Sequence, residues 1–565
     1  MNKRWLIGGA AAAVEICISG AGHAQTVGTT DFRGAMVGAY AASQMGINLY
    51  GTDLGIPVGY GGTLRVLFGD SWKDSNGDGL GGAANSDDCQ GGISLAGFPN
   101  GDAVDTWLND GSRKQVPQWR TDGPTLTMRT NAFGSVAPLA VYDGNTTLLD
   151  MGLGRTPTAA FANKAASGGG VFAFFGRQVG LLCTTPTSCG TGFACDQGMG
   201  TCGGASTENA IACVIGTTRC GILGCSKPSG YVGVCQDQTS SVYDGATEDG
   251  RILASVLKER VGNADPTIFE IYYTQQFVTN KFINVTTRTV RDFLPTRPYN
   301  STANVFSPGT GATGGNEKVF LWGRPNFAGY GHATGKSDKV YLAYVDMPTY
   351  SSTGTFAFAP KYFSGYGASG CTTGQPAPDA SHMYPCFAAT QNLALPLNLG
   401  ATGDNTVEVK DIVQQHAVSW VPALAKFVMI YGGDGPDAFF SLDVGPNYGT
   451  LQHDPNGSMF FRYATYPWGP WSSPATIAVA GTYNPATNQY ASGGALYSPY
   501  CTGTCASLDS HYTFYGDGDK VGRLYGASIV DEWTMTRGTN TADIYWFAST
   551  WDPYEVLTMR TRINP

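Results

Sequence analysis

The chain has 565 residues; charged residues make up only 14% of it, against a usual share of about a quarter, while its 78 glycines are about twice the ordinary proportion. Its formal net charge is −9 with no cluster of Lys or Arg, which excludes an electrostatic footprint for nucleic acid or an anionic membrane and favours neutral ligands. Low charge, many glycines and 12% aromatic residues favour short strands joined by tight turns.

The sequence opens Met1-Asn2-Lys3-Arg4, runs through the mostly apolar stretch from Trp5 to Ile18, and reaches small residues at Gly22-His23-Ala24. That charged, apolar, small-residue order is the order of a secretory signal. Cleavage after Ala24 would remove Cys17 and leave 541 residues (565 minus 24), enough for a large core or several domains. The apolar stretch is too short to span a bilayer and carries Glu15, and no later run reaches the roughly 18 apolar residues of a spanning helix. We therefore expect a soluble protein, secreted to the extracellular space or the periplasm.

Next come three acidic candidates. Asp31 follows soon after the signal; Gly51-Thr52-Asp53-Leu54-Gly55 lies between two predicted strands, and Phe68-Gly69-Asp70-Ser71-Trp72 closes the apolar run from Thr63 to Phe68. Asp53 and Asp70 both sit at glycine-flanked bends, where backbone N–H groups can orient a carboxylate and little bulk blocks a ligand. An Asp beside a Gly also simply caps turns, which is the plainer alternative for each one. Glycoside cleavage needs two such groups, one protonated to donate to the leaving oxygen and one ionised across the sugar. Asp53 and Asp70 are the candidate pair, with Asp31 a third if the N-terminal strand closes the fold.

Asp74-Ser75-Asn76-Gly77-Asp78-Gly79 has the alternating oxygen ligands and the glycine that begin a calcium loop, although its twelfth position is Asn85 rather than Glu. Asp74, Asn76 and Asp78 could hold a structural calcium; a polar surface loop is the alternative, and no cofactor is required for the chemistry expected. Fourteen cysteines suit an oxidising compartment. Eight of them, Cys183, Cys189, Cys195, Cys202, Cys213, Cys220, Cys225 and Cys235, crowd into one Gly/Thr/Ser-rich stretch without C-x-x-C spacing, which favours disulfides over zinc. Cys371 with Cys386 and Cys501 with Cys505 read as local pairs, and Cys89 is left over.

Strand-like runs recur along the whole length: Thr63 to Phe68, Gly170 to Phe175, Thr267 to Tyr273, Lys318 to Trp322, Lys339 to Val345, Lys426 to Tyr431, Met459 to Tyr463 and Asp543 to Ala548. Each is bounded by Gly, Pro, Asp or Asn, and several are apolar throughout, as strands buried on both faces are. Long helical periodicity is hard to find. The pattern favours an all-β fold, a β-propeller from residue 25 to 565 interrupted by a cysteine-rich insertion over 183–235; a large β-sandwich is the rival. Residues 365–390 read as a second, smaller loop excursion.

Common catalytic signatures are missing. There is no G-x-S-x-G and no H-E-x-x-H, and Gly329 to Ser337 matches a phosphate loop only in part, with Tyr330 near its start and no helix expected after it. Trp72, Trp322, Trp468, Trp471, Trp533, Trp546 and Trp551 stand at or just beyond strand ends, where flat faces could stack on sugar rings, though most aromatics in β proteins are core. Trp72 and Trp322 are the substrate-binding candidates among them.

From Gly51-Thr-Asp-Leu-Gly55 and Leu67-Phe-Gly-Asp-Ser71 onward the sequence resembles the domain-of-unknown-function family 4185, grouped as glycoside hydrolase family 183. Arg155-Thr-Pro-Thr-Ala159, Lys339-Val-Tyr-Leu-Ala343, Trp468-Gly-Pro-Trp-Ser-Ser-Pro474, and Ala548 to Val556 with Met559-Arg560 extend the resemblance in order across most of the chain outside the cysteine-rich insertion. The resemblance implies a five-bladed β-propeller with endo-D-arabinanase activity on the arabinan of mycobacterial cell walls. It further implies Asp53 and Asp70 at a central pocket as catalytic or pKa-tuning carboxylates, with Asp31 a third; Arg155 is our candidate for substrate binding. Ser71 stands where the pattern has Thr, and His416 where it has an acidic residue. A non-catalytic extracellular propeller that binds glycan or a protein partner is the second hypothesis.

Overall fold

The computed structural model describes residues 25–37, 51–69, 71–72, 89–108, 127–128, 140–143, 147–150, 155–165, 169–178, 182–186, 193–202, 204, 212–215, 225–237, 252–259, 268–276, 281–282, 284–290, 317–324, 339–349, 358–379, 381–399, 413, 415–432, 458–478, 483–484, 489–490, 523–551 and 555–565. Successive side chains of a strand point to opposite faces, so a run without polar alternation needs a neighbour on each side. Lys318–Arg324 illustrates this: Val319 and Leu321 enter one apolar core while Phe320 and Trp322 enter another. Lys426–Gly432 does the same with Val428 and Ile430 on one side and Phe427, Met429 and Tyr431 on the other.

The result is a mostly β protein in which five sheets of four or more strands follow one another along the chain. The first holds Ile56–Tyr60, Thr63–Phe68, Cys89–Ser94 and Thr127–Met128. The second runs Arg155–Asn163, Gly170–Gln178, Ile252–Glu259 and Ile268–Gln276, extended by Ala140–Asp143 and Thr147–Asp150. The third is Asn284–Val290, Lys318–Arg324, Tyr341–Asp346, Lys361–Gly367 and Tyr384–Ala388, and the fourth is His416–Val421, Lys426–Gly432, Met459–Ala464 and Ala475–Ala478. In the fifth, Arg523–Ile529, Thr541–Trp551 and Glu555–Asn564 are completed by the N-terminal strand Thr26–Val37, paired from Thr26↔Asn564 to Val37↔Val556. Met535–Gly538 pairs on the same Thr541–Trp551 strand.

The first strand of each sheet touches the first strand of the next, and that of the fifth touches that of the first. Apolar cores follow the same cyclic order. Val58 and Leu67 meet Val171 and Ala173 between the first two sheets, and Phe161, Phe172 and Phe174 meet Val285, Val319 and Leu321 between the next two. Trp322 and Leu342 meet Trp420 and Phe427, and Val428 and Ile430 meet Ile544 and Leu557. Leu64, Val66 and Phe68 meet Tyr545, Phe547 and Val556, which returns the series to its start.

One α-helix, Gly101–Leu108, breaks the pattern among the described residues. Asn100 caps it, its Oδ1 accepting from the Ala103 N–H at 3.0 Å, and Val104 anchors it in the core between the fifth and first sheets. The cysteine-rich stretch leaves the second sheet between two directly paired strands, Gly170–Gln178 and Ile252–Glu259, and carries two small three-stranded sheets of its own. Cys183 is bonded to Cys195 there, a pairing that spacing alone left open.

Residues 365–390, expected as a loop, are a hairpin instead. Tyr384–Ala388 is apolar enough to pair with Lys361–Gly367, and the expected Cys371–Cys386 disulfide ties its tip. Cys501 and Cys505 lie outside the described residues, as does the signal segment. No helix among the described residues is long and apolar enough to cross a membrane, and the Cys183–Cys195 and Cys371–Cys386 disulfides fit an extracellular protein.

Candidate active site

Asp53 follows the two-residue strand Gly51–Thr52, which pairs with Ser71–Trp72 through Thr52↔Ser71. The Gly69 N–H donates to the Asp53 carbonyl at 3.0 Å, so both neighbours of Asp70 in sequence are bonded next to or at Asp53. Asp70 itself lies outside the described residues. The chain turns sharply after Asp53: Leu54 has φ +69° and Gly55 φ +58°, and the Gly55 N–H closes back on the Asp53 carbonyl at 3.0 Å. A left-handed leucine is uncommon and persists only where its surroundings hold it.

The last sheet holds it. The Leu54 N–H donates to Ser549 Oγ at 2.7 Å, and the Tyr525 hydroxyl donates to Asp53 Oδ2 at 3.0 Å. Asp53 is 8% exposed and Ser549 wholly buried, so these bonds form out of water, where a charge-assisted hydrogen bond is strong. A Cβ on Gly526 would lie 3.0 Å from Ser549 Oγ, 3.1 Å from Gln415 Oε1 and 3.3 Å from Leu54 Cδ2, which brings the head of the fourth sheet to the same place. One residue on, His416 is buried opposite Tyr431. Arg324, paired with Asn284 in the third sheet, donates to the Val413 carbonyl at 2.7 Å and so ties that sheet to the same stretch of chain.

Asp31 is not brought to this turn. It pairs with Arg560, whose Nη2 lies 2.5 Å from Asp31 Oδ2, on the outermost strand of the last sheet, three strands away from Arg523–Ile529. Three strand spacings amount to about 14 Å, and the register places Tyr525 opposite Ser549, Val556 and then Val37, far along the strand from Asp31. Trp322 is not at a ligand surface either. It is fully buried between the third and fourth sheets and donates its Nε1–H to the Pro467 carbonyl at 3.0 Å. Trp468, Trp471, Trp533 and Trp546 are buried too.

Arg155 begins the first strand of the second sheet opposite Arg177, and Trp72 pairs with Gly51 beside the turn; their side chains are outside the described set. Asp74, Asn76 and Asp78 also lie outside it. Among the described residues no group of three His, Cys, Asp or Glu could hold a metal ion. Tyr525, Ser549 and Gln415 were not legible in the sequence, because Tyr525 and Asp53 are 472 residues apart and nothing local marks their meeting.

No known family matches the sequence, and no curated protein does. Among solved structures, a mutant Trypanosoma rangeli sialidase displaying trans-sialidase activity is similar at a TM-score of 0.28 and 7% identity, over 91% of this chain and 54% of that one. The Trypanosoma rangeli sialidase in complex with the inhibitor DANA gives 0.26 and 9%, over 90% and 55%. An N-acetylgalactosamine deacetylase from F. plautii gives 0.19 and 12%, over 75% and 92%. The chain thus spans about half the length of the sialidases. Likenesses this weak leave the functional reading to the residues themselves.

Proposed function

We propose that the chain is a secreted glycoside hydrolase built as a five-bladed β-propeller, which cuts a furanose polysaccharide, D-arabinan of the mycobacterial cell-wall type, inside the chain. The observation that carries this reading is Asp53: a buried carboxylate on a left-handed turn, held by Tyr525 from the far end of the sequence. A carboxylate fixed in this way is costly for a fold to build and is suited to act as base or nucleophile. Asp70, whose two neighbours are bonded at Asp53 and Thr52, is the second carboxyl, acting as acid or setting the proton affinity of the first. Arg155 binds substrate. The cyclic order of five cores supports the propeller, and the ordered sequence resemblance supports the arabinan.

The test is hydrolysis of mycobacterial arabinogalactan and of plant L-arabinan by the purified protein, with Asp53→Asn and Asp70→Asn alongside. The expected result is oligosaccharide release from the mycobacterial polymer and a loss of at least about a hundredfold in each variant, the scale of an essential acid or base. Absence of any release by the wild type, or full activity of Asp53→Asn, sinks the reading.

A further inference from the structure

Tyr525 and Ser549 lie directly opposite each other in the last sheet, and both reach across the junction to one turn of the first. The tyrosine hydroxyl donates to Asp53 Oδ2 at 3.0 Å, while the serine Oγ accepts from the backbone N–H of Leu54 at 2.7 Å. A single cross-strand pair therefore holds both the carboxylate and the backbone step that aims it. We propose that Tyr525 and Ser549 form a positioning pair that orients Asp53 and favours its ionised form, so that the site is complete only when the last sheet has closed on the first.

The proposal rests on the assignment of Asp53 to catalysis. A hydrogen bond donated to a carboxylate stabilises its charged form, and burial strengthens the bond by excluding water. Ser549 acts on geometry instead: its bond to Leu54 helps to hold a backbone conformation that L residues avoid. Gly526 makes room for this. It has φ +64°, and a side chain there would crowd Ser549 Oγ, Gln415 Oε1 and Leu54 at once. Arg523 and Glu555 stand at the same strand ends in the last sheet, Arg155 in the second, Arg324 in the third and His416 in the fourth. Tyr525 donates directly to the carboxylate.

The experiment compares wild type, Tyr525→Phe, Ser549→Ala and Ser549→Thr by kcat and KM on arabinan across pH, by NMR titration of the carbon-13-labelled Asp53 carboxyl, and by thermal melting to confirm folding. Tyr525→Phe is expected to lose about ten- to hundredfold in kcat with KM little changed, the worth of a hydrogen bond to a charged group, and to move both the acidic limb and the Asp53 midpoint to higher pH. Ser549→Ala is expected to lose kcat with a smaller move of that midpoint, and Ser549→Thr to restore most of the rate. An active wild type whose folded Tyr525→Phe variant keeps both kcat and the Asp53 midpoint overturns the proposal. If the wild type cuts no arabinan yet Tyr525→Phe still raises the Asp53 midpoint, the hydrolase reading fails while the positioning of Asp53 stands; an unmoved midpoint removes both.

Discussion

Arg288, on the first strand of the third sheet, is ion-paired with Asp531, which follows the first strand of the fifth. Ser419 of the fourth sheet donates to the same carboxylate, and Glu532 lies so close over Gly59 of the first that a Cβ there would fall 2.0 Å from its Oε1. Thr287 donates to the Ala160 carbonyl of the second sheet at 3.0 Å. Side chains of the third and fourth sheets and the backbone of the first therefore meet the short segment Asp531–Glu532, and Thr287, beside Arg288, carries the contact on to the second sheet. Burial pushes the Arg288 guanidinium down to about 10, with Glu532 opposing that shift, and so it remains charged at neutral pH.

Removing one partner of the Arg288–Asp531 pair is predicted to leave a desolvated charge behind. Asp531 is 33% exposed and Arg288 17%, so the cost falls below that of a fully buried pair, at about 2 kcal/mol for Asp531→Ala. Urea unfolding of Arg288→Met, Asp531→Ala and the double variant measures it. The double variant should be more stable than the sum of the two single losses; simple additivity would mean that the pair is not coupled.

Asp543 supplies a pH dependence. Its side chain is fully buried, with Arg562 Nε 2.7 Å from Oδ1 and Arg537 Nε 2.6 Å from Oδ2. Burial alone would push its pKa up, but hydrogen bonds from Arg562 and Arg537 and the charges of Arg562 and Arg560 outweigh that and hold it below the usual carboxylate value. A carboxyl depressed in the folded state contributes stability above its unfolded pKa of about 3.9, and that stability is lost as pH falls through the folded value. Asp543→Asn should therefore be less stable than wild type by about 2 kcal/mol at pH 7, below the range for a fully buried pair because both arginines are partly exposed, with the gap narrowing in acid below about pH 4. Melting curves from pH 7 down to 2 check this, and a gap that stays constant contradicts it.

Arg537 extends the same network, since its Nη2 lies 2.5 Å from Asp102 in the Gly101–Leu108 helix. It thereby ties the connection between the third and fourth strands of the first sheet to the strands of the fifth. Asp102→Ala, at an exposed position, is predicted to cost under about 1 kcal/mol, less than loss of Asp543. Comparable losses from both would show that the helix tie, rather than the buried carboxylate, carries the stability.

The strands were legible because their chemistry is local: an apolar run such as Lys426 to Tyr431 needs a layer on each side, and the fold provides two. The bend after Asp53 was legible for a similar reason, an aspartate between two glycines. Tyr525 and Ser549 were not, since their role arises only where the end of the chain meets its beginning. Trp322 was misread as a sugar platform because a tryptophan near a strand end looks the same in sequence whether it faces a ligand or the next sheet. The proposed closure of the fold by the N-terminal strand put Asp31 on an outer edge, where Arg560 neutralises it, rather than beside Asp53.

Trp322 is accordingly predicted to matter for stability and not for substrate recognition. Its indole fills the core between the third and fourth sheets, 6.1 Å from the ring of Phe427 and 5.8 Å from that of Phe320. Trp322→Ala should cost about 3–5 kcal/mol, the usual price of emptying such a site. KM of the folded variant, measured below its melting range, should match that of wild type. A raised KM in a protein of unchanged stability would restore the indole to the binding site.

The hairpin tip offers a test of coupling between a disulfide and a glycine. Cys371 and Cys386 are 15 residues apart, and cross-linking a loop of that length stabilises by about 3 kcal/mol in the chain-entropy account. A Cβ on Gly367 would lie 2.8 Å from Cys386 Sγ and 2.9 Å from Cys371 Sγ, so the bond fits only because that position carries no side chain. Gly367→Ala should thus destabilise the oxidised protein strongly. In a background where both cysteines are alanine the two sulfurs are gone, and the same substitution should cost markedly less. Urea midpoints of the glycine variant, the cysteine-free variant and their combination decide the matter; equal cost of Gly367→Ala in both backgrounds would show that the strain lies in the Lys361–Gly367 backbone and not at the disulfide.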